Sequence, residues 1–177
     1  MEKRMSANIH STEIVMPGAQ VDKSVTIGPF CIIGEAAQIA KGSEVEAYCE
    51  FGVQTGVLPL GPVTIGPNLI ICSGSVIHQN SVFENGLKTG HRVTLREGIL
   101  AGDGLQVGTQ SDIQGHCEIG QHVCLHSNVH ISQRYKVGNF VWIFPYVVLT
   151  NDPHPQSQMM DECSIQEFAV VARMSTV

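Results

Sequence analysis

The sequence predicts an all-β fold, a parallel β-helix built from six-residue repeats, and three observations carry that prediction. First, stepping by six from Ile65 gives Ile71, Ile77, Phe83, Thr89, Leu95, Ala101, Val107, Ile113, Ile119, Leu125, Ile131, Val137, Ile143 and Leu149. Apart from Thr89 and Ala101, every one of these anchors is large and apolar, with no slip in register. Second, the position two before each anchor is also constrained: Leu69, Ser75, Ser81, Leu87, Val93, Ile99, Leu105, Ser111, Cys117, Val123, Val129, Tyr135, Val141 and Val147. Residues two apart on a strand face the same way, so each hexad holds a short strand with two inward residues and a turn. Third, glycine often follows the anchor: Gly28, Gly34, Gly52, Gly66, Gly90, Gly102, Gly108, Gly120 and Gly138. A glycine at fixed phase is expected to supply torsions that other residues resist.

Three hexads closing one triangular coil give 18 residues per coil, with coils stacked about 4.8 Å apart by parallel strand pairing. The ladder Ile77, Leu95, Ile113, Ile131 and Leu149 is then expected along one interior corner. An α-helix would need apolar spacings of three and four, and a sandwich would need sustained alternation; neither persists here. A nine-residue calcium-binding β-helix would need GGxGxD repeats, which are absent.

A second register, Val15, Val21, Ile27, Ile33, Ile39, Val45, Phe51 and Val57, covers the N-terminal side. The two registers differ by an inserted pair of residues within Val57–Ile65, near Pro59 and Pro62. Another break follows Leu149, where the stretch 150–162 has no period of six and contains Pro153 and Pro155. A loop leaves the coil there, and loops on rigid scaffolds are favoured sites of binding and chemistry. The repeat resumes at Ile165 and Val171. The expected organisation is one β-helix domain over residues 1–177, whose C-terminal end is incomplete because Val177 is itself an anchor.

Composition narrows the function. Charged residues are 15% and apolar residues 43%, low charge for a free globular surface and suited to an oligomer. A net charge of −6, with Lys3–Arg4 as the densest basic stretch, excludes nucleic acid as the main partner. The longest strongly apolar stretch, Val141–Leu149, is too short to span a bilayer as a helix, and no signal-type segment follows Met1–Arg4. The cytoplasm is the expected compartment, without membrane insertion. The six cysteines include no CxxC pair, and Cys31, Cys49 and Cys117 fall on an inward column, so reduced thiols are expected.

Phase sorts the eight histidines. His130 is an outward strand residue, while His116, His122 and His126 belong to turns and His154 to the loop. His116 stacks between Asn80 and Arg134 on one turn column. His126-Ser127-Asn128 makes a polar turn between Leu125 and Val129. A histidine there can accept a proton from an attacking amine or hydroxyl, and turn amides or an asparagine can meet an oxyanion. Asp152 is an alternative acceptor. His91, His126 and His130 form a conceivable zinc set, but no tight ligand motif supports it, and no metal site is expected.

The repeat resembles the hexapeptide-repeat acyltransferase superfamily over nearly the whole chain, with its [LIV]-[GAED]-x-x-[STAV]-x pattern. Ile9-His10-Ser11-Thr12-Glu13-Ile14-Val15 looks like the first coil of such bacterial enzymes. Val137-Gly138-Asn139-Phe140-Val141-Trp142-Ile143-Phe144-Pro145-Tyr146 through Thr150-Asn151-Asp152-Pro153-His154-Pro155 is similar to the segment before the loop in bacterial nucleotide-sugar and polysaccharide N- and O-acetyltransferases.

The resemblance implies a left-handed winding and transfer of an acyl group from a coenzyme A thioester to an amino or hydroxyl group of a nucleotide-linked sugar. It further implies a homotrimer with clefts between neighbouring β-helices and no permanently bound cofactor. It places Asn128 near the acceptor and gives Asn151, Asp152 and Pro155 to an Asn-Asp-x-x-Pro loop. His126 and Ser127 depart from the commonest form of the turn, leaving N- against O-transfer open. The site residues expected are therefore His126, Asn128, Asp152 and His154, with His126 foremost as proton acceptor. A zinc protein like the γ-class carbonic anhydrases and a non-catalytic scaffold are the alternatives. The closely matching three-histidine pattern of the former is missing, as is the Asn-x-x-x-Asn-His hallmark of maltose and antibiotic acetyltransferases.

Overall fold

In the computed structural model, which describes residues 8–54, 56, 61–151 and 163–172, the chain winds as a left-handed parallel β-helix. Three parallel sheets form the walls. The first has nine strands, from Asn8–Ile9 to Val170–Val171; the second has eight, from Ile14–Val15 to Val148–Leu149; the third has eight, from Gln20–Val21 to Ser164–Ile165. Most strands are two residues long because each wall uses only the anchor and the residue before it before the chain turns.

The predicted coil length holds. Ile77 pairs with Leu95, Ile113 with Ile131, and Ile131 with Leu149, each the third anchor further along the chain. All anchors from Ile65 to Leu149 are buried, Thr89 and Ala101 included. The ladder from Ile77 to Leu149 runs along the flat second wall rather than a corner, since strands make walls and the intervening residues make corners. Val15 is exposed on the first strand of its sheet, beyond which no described strand pairs.

Two details differ from the sequence reading. Ile39 pairs with Ile65, where an unbroken coil would have brought it Val57, so the addition before this strand is eight long, not two. A period of six reveals an insertion only modulo six, so eight reads as two. Thr55 and Val57, counted into the first register, lie outside the described residues. Val137 likewise pairs with Ile165, where an unbroken coil would have brought it Pro155, so the addition there is ten long. Both additions fall at the same corner, between the second and third walls.

The glycine after the anchor also has a different cause. Positive φ belongs to the third residue past the anchor, where it is borne by Asn80, His116, Asn128 and Arg134 among others. Gly108, after the anchor, needs its bare Cα for space: a Cβ there would lie 2.4 Å from the His126 carbonyl carbon and the Ser127 nitrogen of the next coil. Packing of coil on coil fixes the residue at Gly108, whereas Gly52, which follows the anchor Phe51, does adopt a positive φ of 73°.

The buried serines two before the anchor join successive coils. Ser111 Oγ accepts from Val129 N at 3.0 Å and donates to His126 O at 2.8 Å. Ser81 Oγ does the same with Ile99 N and Arg96 O, at 3.1 and 3.0 Å. Small polar residues persist on this inward column because they satisfy main-chain groups at a corner where strand pairing lapses. Ser111→Ala is expected to cost about 1–3 kcal/mol in a urea denaturation series, because a buried N–H and a carbonyl lose their partner together. A loss below the error of that measurement would mean that the corner groups find water.

Candidate functional site

On the second wall, the outward residue of each strand lies directly over its counterpart one coil away. The register sets Asp112 opposite His130. His130 Nδ1 lies 2.9 Å from Asp112 Oδ2 and 3.1 Å from Oδ1, and Gln114 Nε2 donates to Oδ2 at 2.6 Å. With Nδ1–H held by the carboxylate, Nε2 is left as an acceptor, and the Ser132 hydroxyl donates to it at 3.2 Å. Asp112, His130 and Ser132 thus form a hydrogen-bonded chain on a half-buried surface.

The electrostatics follow from this pairing. The hydrogen bond to Asp112 raises the His130 pKa above the ordinary imidazole value, outweighing the opposing effect of burial. Burial pushes the Asp112 carboxyl up, but the hydrogen bonds from His130 and Gln114 together hold it below the usual range. Asp112 is therefore a carboxylate near neutral pH, and it orients the His130 ring so that Nε2 meets the Ser132 hydroxyl.

The same wall continues as a polar strip. One residue past successive anchors stand His78, Arg96, Gln114 and Ser132. Arg96 grips Glu97 through Nε–Oε2 at 2.9 Å and Nη2–Oε1 at 3.2 Å. His78 Nδ1 is buried without a hydrogen-bond partner, and burial, then the Arg96 charge, lowers the His78 pKa. The two added segments leave the coil at the edge of this wall, one after Val53 and the other after Leu149.

The expected site residues are placed differently. His126 follows the strand Cys124–Leu125, at the corner between the first and second walls. Its ring lies 5.1 Å from Trp142 at a 53° tilt and stacks at 5.6 Å on Phe144, and its Nε2 is buried without a hydrogen-bond partner. His126, Phe144, Pro145 and Ala172 line an apolar hollow of about 410 Å³. Asn128 occupies the same corner in a left-handed conformation, φ 58°, with its N–H on Thr109 O at 2.9 Å. Asp152 and His154 lie outside the described residues. Asn151, just before them, is buried with Nδ2 donating to Gln133 O at 2.7 Å, at the opposite edge of the second wall.

The His126–Asn128 turn and the start of the loop thus flank the second wall from two different corners, with His130 between them. The conceivable zinc set is not assembled: His91 lies against Glu46, His126 against aromatic rings and His130 against Asp112. Sequence reasoning misses the Asp112–His130 pair because His130 has no motif around it. Its signal is an acid and a histidine in the same outward phase, one coil length apart.

No family model matches the chain. Among curated proteins it is 31% identical over 145 residues to the acyl-[acyl-carrier-protein]–UDP-N-acetylglucosamine O-acyltransferase of Thermodesulfovibrio yellowstonii, covering 75% of this chain and 49% of that one. It is 26% identical over 151 residues to the UDP-3-O-acylglucosamine N-acyltransferase of Pseudomonas syringae, covering 77% and 43%. The chain spans about half the length of these relatives. A crystal structure of the UDP-N-acetylglucosamine O-acyltransferase of Moraxella catarrhalis superposes with a TM-score of 0.57 at 20% identity, over 96% of this chain and 66% of that one. That likeness shows the fold, a parallel β-helix. The name of the Thermodesulfovibrio relative gives acyl-carrier protein as the donor, where the sequence alone suggested coenzyme A. Among the described residues of this hexapeptide-repeat chain, no helix is long and apolar enough to cross a membrane.

The pairing on the second wall has a pH signature. A raised His130 pKa stabilises fully below the unfolded imidazole value of about 6.5 and loses its effect as pH rises through the folded value. A lowered Asp112 pKa stabilises fully above the unfolded carboxyl value of about 3.9 and loses its effect as pH falls through the folded value. In denaturant unfolding, the stability gap between the natural chain and His130→Gln is expected to be widest between about pH 4 and 6.5 and to narrow toward about pH 9. A gap independent of pH would show that the pair is not charged.

Proposed function

We propose that the chain catalyses acyl transfer from a phosphopantetheine thioester to a hydroxyl or amino group of a nucleotide-linked amino sugar, with His130 as the proton acceptor. The observation that carries this reading is the Asp112–His130 pair, a carboxylate-oriented imidazole whose second nitrogen is held only by the exchangeable Ser132 hydroxyl among the described residues. The relatives' names supply the substrate class. Acyl-carrier protein and coenzyme A present the same pantetheine arm, so either donor fits the reading, and the relatives favour the carrier protein.

In the reaction, the acceptor takes the place of Ser132 at His130 Nε2. Its oxygen or nitrogen attacks the thioester carbonyl as its proton passes to Nε2, and Asp112 stabilises the imidazolium. Collapse of the tetrahedral intermediate expels the thiolate, which recovers that proton from His130. His126 is the rival base, but among the described residues no carboxylate is hydrogen-bonded to it, and its Nε2 is buried. Its ring, with Trp142 and Phe144, is better suited to seat an apolar part of the donor. Asn128 remains a candidate for orienting the acceptor, as do Asp152 and His154 for the loop's contribution. Exposed Trp142 and Val148 on adjoining walls support assembly as a trimer, in which a neighbour would close the cleft.

The test assays the purified chain with acyl-carrier-protein and coenzyme A thioesters against UDP-linked amino sugars. His130→Ala is expected to lower turnover by about 10²–10⁴-fold, the usual loss for a general base. Ser132→Ala should leave most activity, because the acceptor displaces that hydroxyl. Near-normal turnover in His130→Ala with collapse in His126→Ala would move the base to the turn. Collapse in Ser132→Ala would instead indicate an acyl-serine intermediate.

A further inference from the structure

A second group of chemically active side chains lies at the corner between the first and second walls, two to four coils from His126. Glu46 follows the strand Glu44–Val45 and Cys72 follows Ile70–Ile71; these strands pair with Val45 opposite Ile71, so the two side chains leave one corner a single rung apart. His91 lies in the corresponding turn of the next coil. One donor atom from each of Glu46, Cys72 and His91 lies within 4.8 Å of the other two. His91 Nδ1 points into the group, 3.6 Å from Glu46 Oε2.

Ser73 holds this arrangement in place. Its backbone N–H and its hydroxyl both donate to Glu46 Oε2, at 2.9 and 3.1 Å. The same hydroxyl oxygen lies 3.1 Å from His91 Nδ1. A simple ion pair between Glu46 and His91 would need neither the thiol beside it nor a hydroxyl bridging the two. A carboxylate, a thiol and an imidazole converging with a fourth side open is the donor set of a four-coordinate zinc ion with one water.

We propose that Glu46, Cys72 and His91 bind a zinc ion. Bond lengths of about 2.0–2.3 Å to zinc put tetrahedral donors about 3.3–3.8 Å apart, so the group closes by small rotations of side chains that are exposed or half-buried. Binding converts the Cys72 thiol to a thiolate, and its proton passes to solvent. In the free chain, burial and the neighbouring Glu46 carboxylate push the Cys72 pKa up, so that proton is present to be released.

The location suggests what the ion does. Glu46 precedes the first addition to the repeat, and Cys72 and His91 follow it, so zinc ties together coils that the addition interrupts. The group borders, through Ser73 and His91, a groove also lined by Tyr48, Arg92 and Gln110. The proposal does not depend on the acyl-transfer reading, and none of its three ligands belongs to the Asp112–His130 pair.

The test uses the whole chain, stripped with a chelator and titrated with Co²⁺ and then Zn²⁺. One equivalent of Co²⁺ should give a thiolate-to-cobalt charge-transfer band and the visible bands of a four-coordinate ion, with Zn²⁺ displacing it. One proton should be released per ion bound. Cys72→Ser, a near-isosteric change at a half-buried site, should abolish the charge-transfer band. Ser73→Ala should weaken binding by about 10–100-fold, as loss of an outer-shell partner does. Zn²⁺ should raise the melting temperature of the natural chain and leave that of Cys72→Ser unchanged, with the metal-free melting curves of the two confirming that the variant folds. Absence of a thiolate band would overturn the proposal. So would a band that survives Cys72→Ser, Glu46→Gln and His91→Ala alike, since the ion would then sit on other cysteines.

Discussion

The constraint on which the rest of the structure depends is the closure of each coil in three hexads. Parallel pairing requires a neighbour at about 4.8 Å, so residues one coil apart are forced into contact whatever their chemistry. Inside, this makes aliphatic ladders. At the corners, it presses main chain onto main chain, as Gly108 against the His126–Ser127 peptide shows. Outside, it brings Asp112 to His130 at 2.9 Å without any loop to shape the site. The wall acts as a rigid ruler, and function is written along its columns.

That rigidity bears on catalysis. A dyad carried on two neighbouring strands of a stacked wall has little freedom to misalign, and its anchors, Ile113 and Ile131, are fully buried beneath it. In the proposed reaction the acid and the base would therefore hold their geometry before substrate arrives, as preorganised groups do when they lower a barrier at no cost in reorganisation. The additions to the repeat leave at one corner of this same wall. The polar strip from His78 to Ser132 thus lies between the places where the chain departs from its own regularity.

Much of the fold was legible because a period of six survives single exceptions: Thr89 and Ala101 are inward despite their size or polarity. What a period cannot carry is an absolute count, so an addition of eight read as two. Nor does it reveal why a residue is chosen: glycine after the anchor looked like a torsional choice and at Gly108 is a matter of contact with the next coil. The site was less legible. His126 drew attention through the turn around it, and among the described residues the fold sets its ring against Trp142 and Phe144. His130 looked like an ordinary outward residue until the column, and not the local sequence, was read. The same column logic joins Glu46 to Cys72 only after the addition is counted correctly, because an unbroken coil would have set Thr64 beside Glu46 instead.

The central claim is that Asp112 sets the basicity of a reacting His130. The pH dependence of kcat/KM for acyl transfer, compared between the natural chain and Asp112→Asn, tests it most directly. The natural chain should gain activity as pH rises through an apparent pKa above the ordinary imidazole value of about 6.5, and the Asp112→Asn profile should be lower in rate with its midpoint moved down. An identical midpoint in both would contradict the account, because the group that loses the proton would then not be the histidine paired with Asp112.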